Sequence, residues 1–333
     1  MGTICDQGCA NVSAINYLIE ETREEYLKKN KELKHKVFKI DGKKIIPLYD
    51  TPHLIKGIRN NLLRNKEEKT AKWEHIVQLY KEDPGYQGLR LMPKLSDKHI
   101  IPEKNSKMKV KCATQVFSQS VAVNMGYLAS KGVIDKECQD TADVILFFDN
   151  LFDSLNGSYL NSKKKAGKAL LGPVRPNSIH KKVWRDAKQV LHTMKFVKNG
   201  KSTVVPSISN WLQSIENMEY LVNQLEKRHD LTSLWMRHFN QDPLENFFGS
   251  IRSHGHRNVS PTCAGFEAAF SLLINNMSGL HSEGSNCEQD SCTVFESLNN
   301  IFFESPSLTS NLAAETQIDY EYIMSNNIFI FKN

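Results

Sequence analysis

Apolar residues recur at steps of three and four along most of the chain and alternate only in a few short runs. That pattern predicts a mainly helical protein with a little sheet. Residues 1–6 read as the end of a buried strand that runs into Gln7-Gly8 and a helix from Val12 to Leu27. A domain seldom starts mid-strand, so the chain is expected to be cut at its N-terminus or to come from a truncated gene. Lys28 to Lys44 is charged and reads as a loop with one short strand, Val37 to Ile40, and a turn at Asp41-Gly42. Ile45 to Tyr49 reads as another strand. Asp50-Thr51-Pro52 then opens a helix, a cap residue standing before a proline in the first turn. The helix runs to about Arg64. Leu54, Ile55, Ile58 and Leu62 form its core face, and His53, Lys56 and Asn60 lie on another stripe with Arg59 beside it.

From Asn65 to about Phe239 the periodicity predicts helices around 70–81, 107–130, 136–156, 180–196 and 207–228. Gly157 to Ser178 is rich in Lys, Gly, Pro and Ser and reads as a loop. A last helical block spans 242–277. Beyond Ser278 the chain is polar, with one apolar patch from Val294 to Phe303, and is expected to be partly disordered. The expected division is therefore 1–64, 65–239, 240–280 and a tail at 281–333, in an α+β chain that is mostly α.

Composition narrows the picture only a little. The 333 residues are enough for two or three domains with real cores. A net charge of +6 permits a polyanionic partner without demanding one. Seven cysteines at irregular spacing form no CxxC pair and no zinc-finger set, so reduced thiols inside a cell are expected. No signal peptide opens the chain and no apolar run is long enough for a bilayer, so no membrane partner is expected and the cytosol or nucleus is left.

Four constellations carry candidate chemistry. In Asn240 to Arg252, Leu244, Phe247, Phe248 and Ile251 make an apolar face, while Glu245, Gly249 and Arg252 fall on a different one. A carboxylate on a rigid helix, with room beside it and a cation one turn on, suits metal-dependent phosphoryl transfer. The same residues suit a capping box, with Asp242 as N-cap, Pro243 at the first helical position and Glu245 at the third. Asp6 stands at a strand end before a glycine turn, a place for a metal ligand or a plain helix cap. Asp149, Asp153 and Asn156 form one stripe on an otherwise very apolar helix. Buried acids are costly unless they pair or bind something. A carboxylate can accept both donors on the guanine edge, Asn can donate to its carbonyl, and the acids could equally hold magnesium; an exposed polar face is the plain alternative. Lastly, Lys107, Lys109 and Lys111 open an amphipathic helix, where phosphate binding or simple solvation are both open. Gly167-Lys168 lacks the rest of a Walker loop, and Lys163 to Lys165 could touch DNA or merely solubilise. His254 and His256 read as a helix stop.

Taken together, six ordered segments resemble the P-element transposase family, which includes the vertebrate THAP-domain relatives. They are Cys5-Asp6-Gln7-Gly8, Tyr49 to Lys56, Arg59 to Leu62, Lys107 to Val110, Phe148 to Asn156, and Asn240 to Arg252. The resemblance covers roughly residues 1 to 290 and implies a partial ribonuclease-H-like fold interrupted by a large helical GTP-binding insertion. It implies DNA cleavage and strand transfer with divalent metal ions such as Mg2+. Asp6 and Glu245 would be the catalytic metal ligands, and Asp153 a further candidate metal ligand. The family's first catalytic aspartate lies on a strand that this sequence does not contain. Carried over by position, GTP contacts would involve Lys94, Lys109, Val110, Ser118, Asp153, Asn156 and Asp242. Lys56, Arg59 and Arg252 are candidates for DNA phosphates. DNA, GTP and a second copy of the chain are the implied partners, and the nucleus the implied place. A domesticated, non-catalytic GTP- or DNA-binding protein is the alternative.

Overall fold

The computed structural model describes residues 1–64, 71–83, 90–101, 104, 107–164, 167–198, 201–229, 232–253 and 260–276. A three-stranded sheet is built by β1 (Gly2–Cys5), β2 (Phe38–Ile40) and β3 (Lys43–Tyr49), with α1 (Cys9–Lys28) between the first two. The strand order is β1-β3-β2. β1 runs parallel to β3, and β2 is antiparallel to it. The β2–β3 hairpin turns at Asp41 and Gly42, whose φ angles of 49° and 74° are both left-handed, as a two-residue hairpin with matching twist requires.

The helix α2 (Thr51–Arg64) leaves β3 directly. Leu54, Ile55, Ile58 and Leu62 are all buried, as the spacing predicts. Then follow α3 (Trp73–Glu82), α4 (Asp97–Ile100), α5 (Val110–Val116), α6 (Gln119–Ser130), α7 (Cys138–Leu155) and α8 (Tyr159–Lys164). Next come α9 (Ile179–Thr193), a short hairpin of β4 (Phe196–Lys198) and β5 (Lys201–Thr203), and α10 (Pro206–His229). After a 3-10 turn at Met236–Phe239 the described chain ends with α11 (Asp242–Ser253) and α12 (Cys263–Asn276). Among the described residues no helix is long and apolar enough to cross a membrane.

One core serves the sheet and the helices up to α10, and a second small cluster of Ile251 and Ala269, with Phe247 and Phe266, joins α11 to α12. α10 lies on β3: the Tyr49 amide donates to Ser214 Oγ, and Asn217 Nδ2 donates to the Pro47 carbonyl. Trp211 and Trp184 are fully buried, and the Phe148 ring touches both Trp211 and Phe117 with centroids 6.1 and 6.0 Å apart. Burying such rings is the largest apolar contribution in the core.

Four expected elements differ from what formed. The helix expected over 107–130 is two, because Ser118 adopts an extended backbone and caps α6 by accepting from the Val121 amide. The helix expected over 180–196 ends at Thr193, and Phe196 starts β4, as suits an aromatic residue followed by valine. The loop expected from Gly157 to Ser178 contains α8 and a 3-10 turn at Ala169–Leu171. The block expected over 242–277 is two helices, α11 and α12. The tail at 281–333, His254, His256 and Lys165 lie outside the described residues.

A buried His180 makes the core acid-sensitive. Its Nδ1 lies 2.8 Å from Ser154 Oγ, and burial pushes its pKa down from 6.5 to about 4. A histidine held below its unfolded value stabilises the fold above that value. The contribution is lost as pH falls from about 6.5 towards 4. A shift of that size corresponds to about 3 kcal/mol. His180→Gln is therefore expected to flatten stability against pH between these limits, as read by urea unfolding at stepped pH. An unchanged slope would remove His180 from this role.

Candidate metal and nucleotide sites

Asp6 follows the last residue of β1, and its Oδ1 accepts from the Gly8 amide and from Asn11 Nδ2, both at 2.8 Å. Desolvation raises its pKa, but these two bonds and the nearby His53 and Lys56 outweigh it, leaving the carboxyl below its usual range. Glu245 lies in the first turn of α11. Its Oε1 is 3.3 Å from His53 Nε2. The hydrogen bond from His53 holds Glu245 below its usual range, opposed by desolvation and helped by Lys56 and Arg252. His53 and Lys56 thus act electrostatically on Asp6 and on Glu245 alike.

The capping-box expectation for Glu245 gives way here, because its side chain turns outward to His53 instead of back to the helix start. Desolvation pulls His53 down, yet Glu245 and Asp50 outweigh it and its pKa is raised. The His53–Glu245 pair therefore stabilises the fold above the ordinary glutamate value of 4.5 and below the ordinary histidine value of 6.5. It fades as pH falls through the lowered Glu245 value or rises through the raised His53 value. Asp50 is buried and both its oxygens are committed: Oδ2 accepts from the His53 amide, and Oδ1 from the Gln241 amide at 2.7 Å. One side chain thus caps α2 and pins the approach to α11. Desolvation raises its pKa.

Gln7 ties this corner to the helices. Its Nε2 donates to the His53 carbonyl, and its Oε1 accepts from Asn210 of α10. Gly57 allows the close approach, since a Cβ there would stand 2.5 Å from Ser207 Oγ and 3.0 Å from Gln7 Nε2.

Among the described residues no group of three His, Cys, Asp or Glu side chains has the geometry to hold a metal. Carboxylates are nevertheless the donor type that a hard cation takes. Asp6 Oδ2 and Glu245 Oε2 take no hydrogen bond among the described residues. Mg2+ commonly takes one or two carboxylates, with waters and substrate phosphates completing its shell.

A second cluster lies at the C-terminal end of α7. Asp149, Asp153 and Asn156 are buried, against the plain expectation of an exposed polar face. Lys168 Nζ stands 2.7 Å from Asp149 Oδ2 and 2.6 Å from Asp153 Oδ2. Asn156 Oδ1 accepts from Asn240 Nδ2, which also donates to Asp242 Oδ2, and Arg237 is ion-paired with the same oxygen. The fold therefore links Asn156 to Asp242 through Asn240, while Asp153 of α7 sits one turn before Asn156 and pairs with Lys168; these are three of the seven nucleotide candidates. Asp153 Oδ1 and Asn156 Nδ2 make no hydrogen bond among the described residues.

The other candidates stand apart. Lys94 and Lys109 are exposed and form no ion pair among the described residues. Val110 is the first residue of α5, and Ser118 is occupied in capping α6. Of the DNA candidates, Lys56 is half-buried facing Glu245, Asp50 and Asp6, and Arg252 is exposed on the Glu245 side. Arg59 is a correction: it is wholly buried and donates to the Lys107 carbonyl, pinning the approach to α5 instead of facing a phosphate. Sequence reasoning missed His53 as a partner of Glu245, and Lys168, Arg237 and Asn240 in the α7 cluster. Only the burial cost of the α7 acids hinted at a cation nearby.

A family model for the TNP-like, GTP-binding insertion domain matches residues 52–168, and one for the TNP-like, RNase H C-terminal domain matches residues 238–271. The human DNA transposase THAP9 is 28% identical over 246 residues, 69% of this chain and 26% of that protein. The Drosophila melanogaster transposable element P transposase is 27% identical over 252 residues, 72% of this chain and 32% of that protein. The chain thus spans between a quarter and a third of the length of these relatives. The Drosophila P element transposase strand transfer complex shares the fold, with a TM-score of 0.68 over 84% of this chain and 61% of that one at 22% identity. The fold is accordingly a mostly helical ribonuclease-H-like one with a GTP-binding-type insertion, and the chain is similar to the P-element-type, THAP-family DNA transposases.

Proposed function

We propose that this chain supplies part of a GTP-dependent DNA transposase acting in the nucleus. Residues 1–64 and 240–280 form the ribonuclease-H-like portion, and 65–239 the nucleotide-binding insertion. The observation that supports the reading is that His53 and Lys56 act on both Asp6 and Glu245, which come from opposite ends of the described chain. Asp6 and Glu245 would be the residues to hold a divalent ion, which would supply Lewis acidity and an activated water or hydroxyl for attack on a phosphodiester. His53 orients Glu245. Lys56 and Arg252 offer positive charge to the phosphates of the strand being cut or joined.

The insertion takes GTP through the α7 cluster. Asp153 offers a free oxygen and Asn156 a free amide on neighbouring turns, matching the donors and the carbonyl of the guanine edge. Asp242 adds an acid close to the same place. Lys94, Lys109, Val110 and Ser118 belong to this reading through positional likeness alone.

Two titrations on the full chain test it. Calorimetry is expected to give GTP binding at least tenfold tighter than ATP binding, since a guanine-edge site leaves its polar groups unpaired with adenine. Mn2+ titration followed by electron paramagnetic resonance is expected to show binding that Glu245→Gln weakens about tenfold or more, as loss of one of few ligands should. Equal Mn2+ binding by both proteins would end the ligand role of Glu245, and failure to bind GTP would end the insertion's.

A further inference from the structure

A cavity of about 590 Å3 opens away from both candidate sites, between α1, the segment before β2, α9 and α10. Arg23, on its α1 wall, stands 14 residues along the helix from Cys9, about 21 Å from the end nearest Asp6 at the usual helical rise. Its walls carry Arg23, Lys34, Lys36, Lys188 and Lys227 against two acids, Glu216 and Glu219. Lys188 neutralises Glu219 at 2.5 Å, and Arg23 is paired with Glu20. Lys34, Lys36 and Lys227 form no ion pair among the described residues, so the rim is left positive.

Two further features select the ligand. The exposed His35 ring is stacked on Tyr220, centroids 4.1 Å apart and planes 27° from parallel. A flat, open aromatic face between cations suits an unpaired base whose phosphates reach the lysines. At the cavity wall Asn217 is 1% exposed. Its Nδ2 spends both hydrogens on the Lys36 and Pro47 carbonyls, while its Oδ1 is buried and unpartnered. A buried acceptor left unpaired is costly. Asn223 and Gln224 add amides on the same wall.

We infer that this cavity binds a single-stranded segment of nucleic acid, stacking one unpaired base on His35 and setting its phosphates against Lys34, Lys36 and Lys227. The site is separate from the Asp6–Glu245 corner. It holds strand rather than duplex, because a stacked base inside a duplex has no free face to offer.

The test uses the full chain and a fluorescein-labelled oligo-dT, read by anisotropy, beside an abasic strand of equal length and dTMP. His35→Ala is expected to weaken oligo-dT binding about tenfold while leaving the abasic strand unchanged, and His35→Trp to restore it. Lys34→Ala with Lys36→Ala is expected to weaken both strands and lower the salt slope by about two phosphate contacts. Lys56→Ala with Arg252→Ala serves as the control at the other site: the His35 effect is expected to persist in that background. His35 is exposed, so its replacement leaves the fold intact, which thermal unfolding checks. Equal loss for oligo-dT and abasic strand, no loss with His35→Ala, or dTMP binding as tightly as the strand would each overturn the assignment. Loss of the His35 effect in the control background would assign it to the Asp6–Glu245 corner.

Discussion

Lys168→Ala is expected to destabilise the chain by about 3–5 kcal/mol near neutral pH, the usual cost of stripping one partner from a buried ion cluster. The Lys168 ammonium stands 2.7 and 2.6 Å from Asp149 and Asp153, whose side chains are only 8% and 7% exposed. Removing it leaves two like charges side by side in a low-dielectric setting. Burial alone would lower the Lys168 pKa, but its bonds to Asp149 and Asp153 outweigh that and raise it. A lysine raised above its unfolded value contributes fully below about 10.5 and loses that contribution only as pH climbs through the higher folded value. The whole effect is therefore present at neutral pH. Urea unfolding measures it. The triple variant Lys168→Met, Asp149→Asn, Asp153→Asn is expected to recover to within about 1 kcal/mol of the parent, because neutral groups carry no charge-burial cost. A loss below about 0.5 kcal/mol for Lys168→Ala, the level of an ordinary surface change, would show that water already screens the pair.

That cluster marks how far sequence reasoning reaches. The i, i+4, i+7 stripe of Asp149, Asp153 and Asn156 was legible because helical periodicity fixes which residues share a face. Its partners were not. Lys168 lies across a loop, and Arg237 and Asn240 lie beyond α10, where periodicity carries no information about pairing. Asp50 shows the same limit from the other side. Its place before Thr51-Pro52 reads correctly as a cap, yet its second oxygen holds the Gln241 amide, 191 residues away in sequence. Helix length was misread where one side chain decides a break, as at Ser118. Whether Glu245 served as a cap residue or faced outward turned on His53, which belongs to a different helix.

The segment Asn240 to Asp242 joins the two candidate sites physically. Asn240 bonds Asn156 at the end of α7, the Gln241 amide bonds Asp50 beneath α2, and Asp242 opens the helix that carries Glu245. The hydrogen-bonded path from Asn156 to the helix that carries Glu245 thus runs through Asn240 to Asp242.

Asp153→Asn is expected to lower GTP affinity about 100-fold, the loss anticipated for hydrogen bonds to a buried charged acceptor. The reason lies in the edge of the base. Guanine presents two N–H donors beside its carbonyl, and a carboxylate accepts both. An asparagine at the same place offers one acceptor and one donor, so its amide hydrogens meet the guanine amino group. Xanthine carries an oxygen where guanine carries that amino group. The variant is therefore expected to bind XTP more tightly than the parent does, while GTP falls. The isosteric change also removes one of the two charges on Lys168, so a stability measurement accompanies calorimetry to separate unfolding from lost recognition. An inverted preference with the fold intact places Asp153 against the base. Equal loss of both nucleotides would instead place it against the ribose or the phosphates, and an unchanged GTP affinity would remove it from the site.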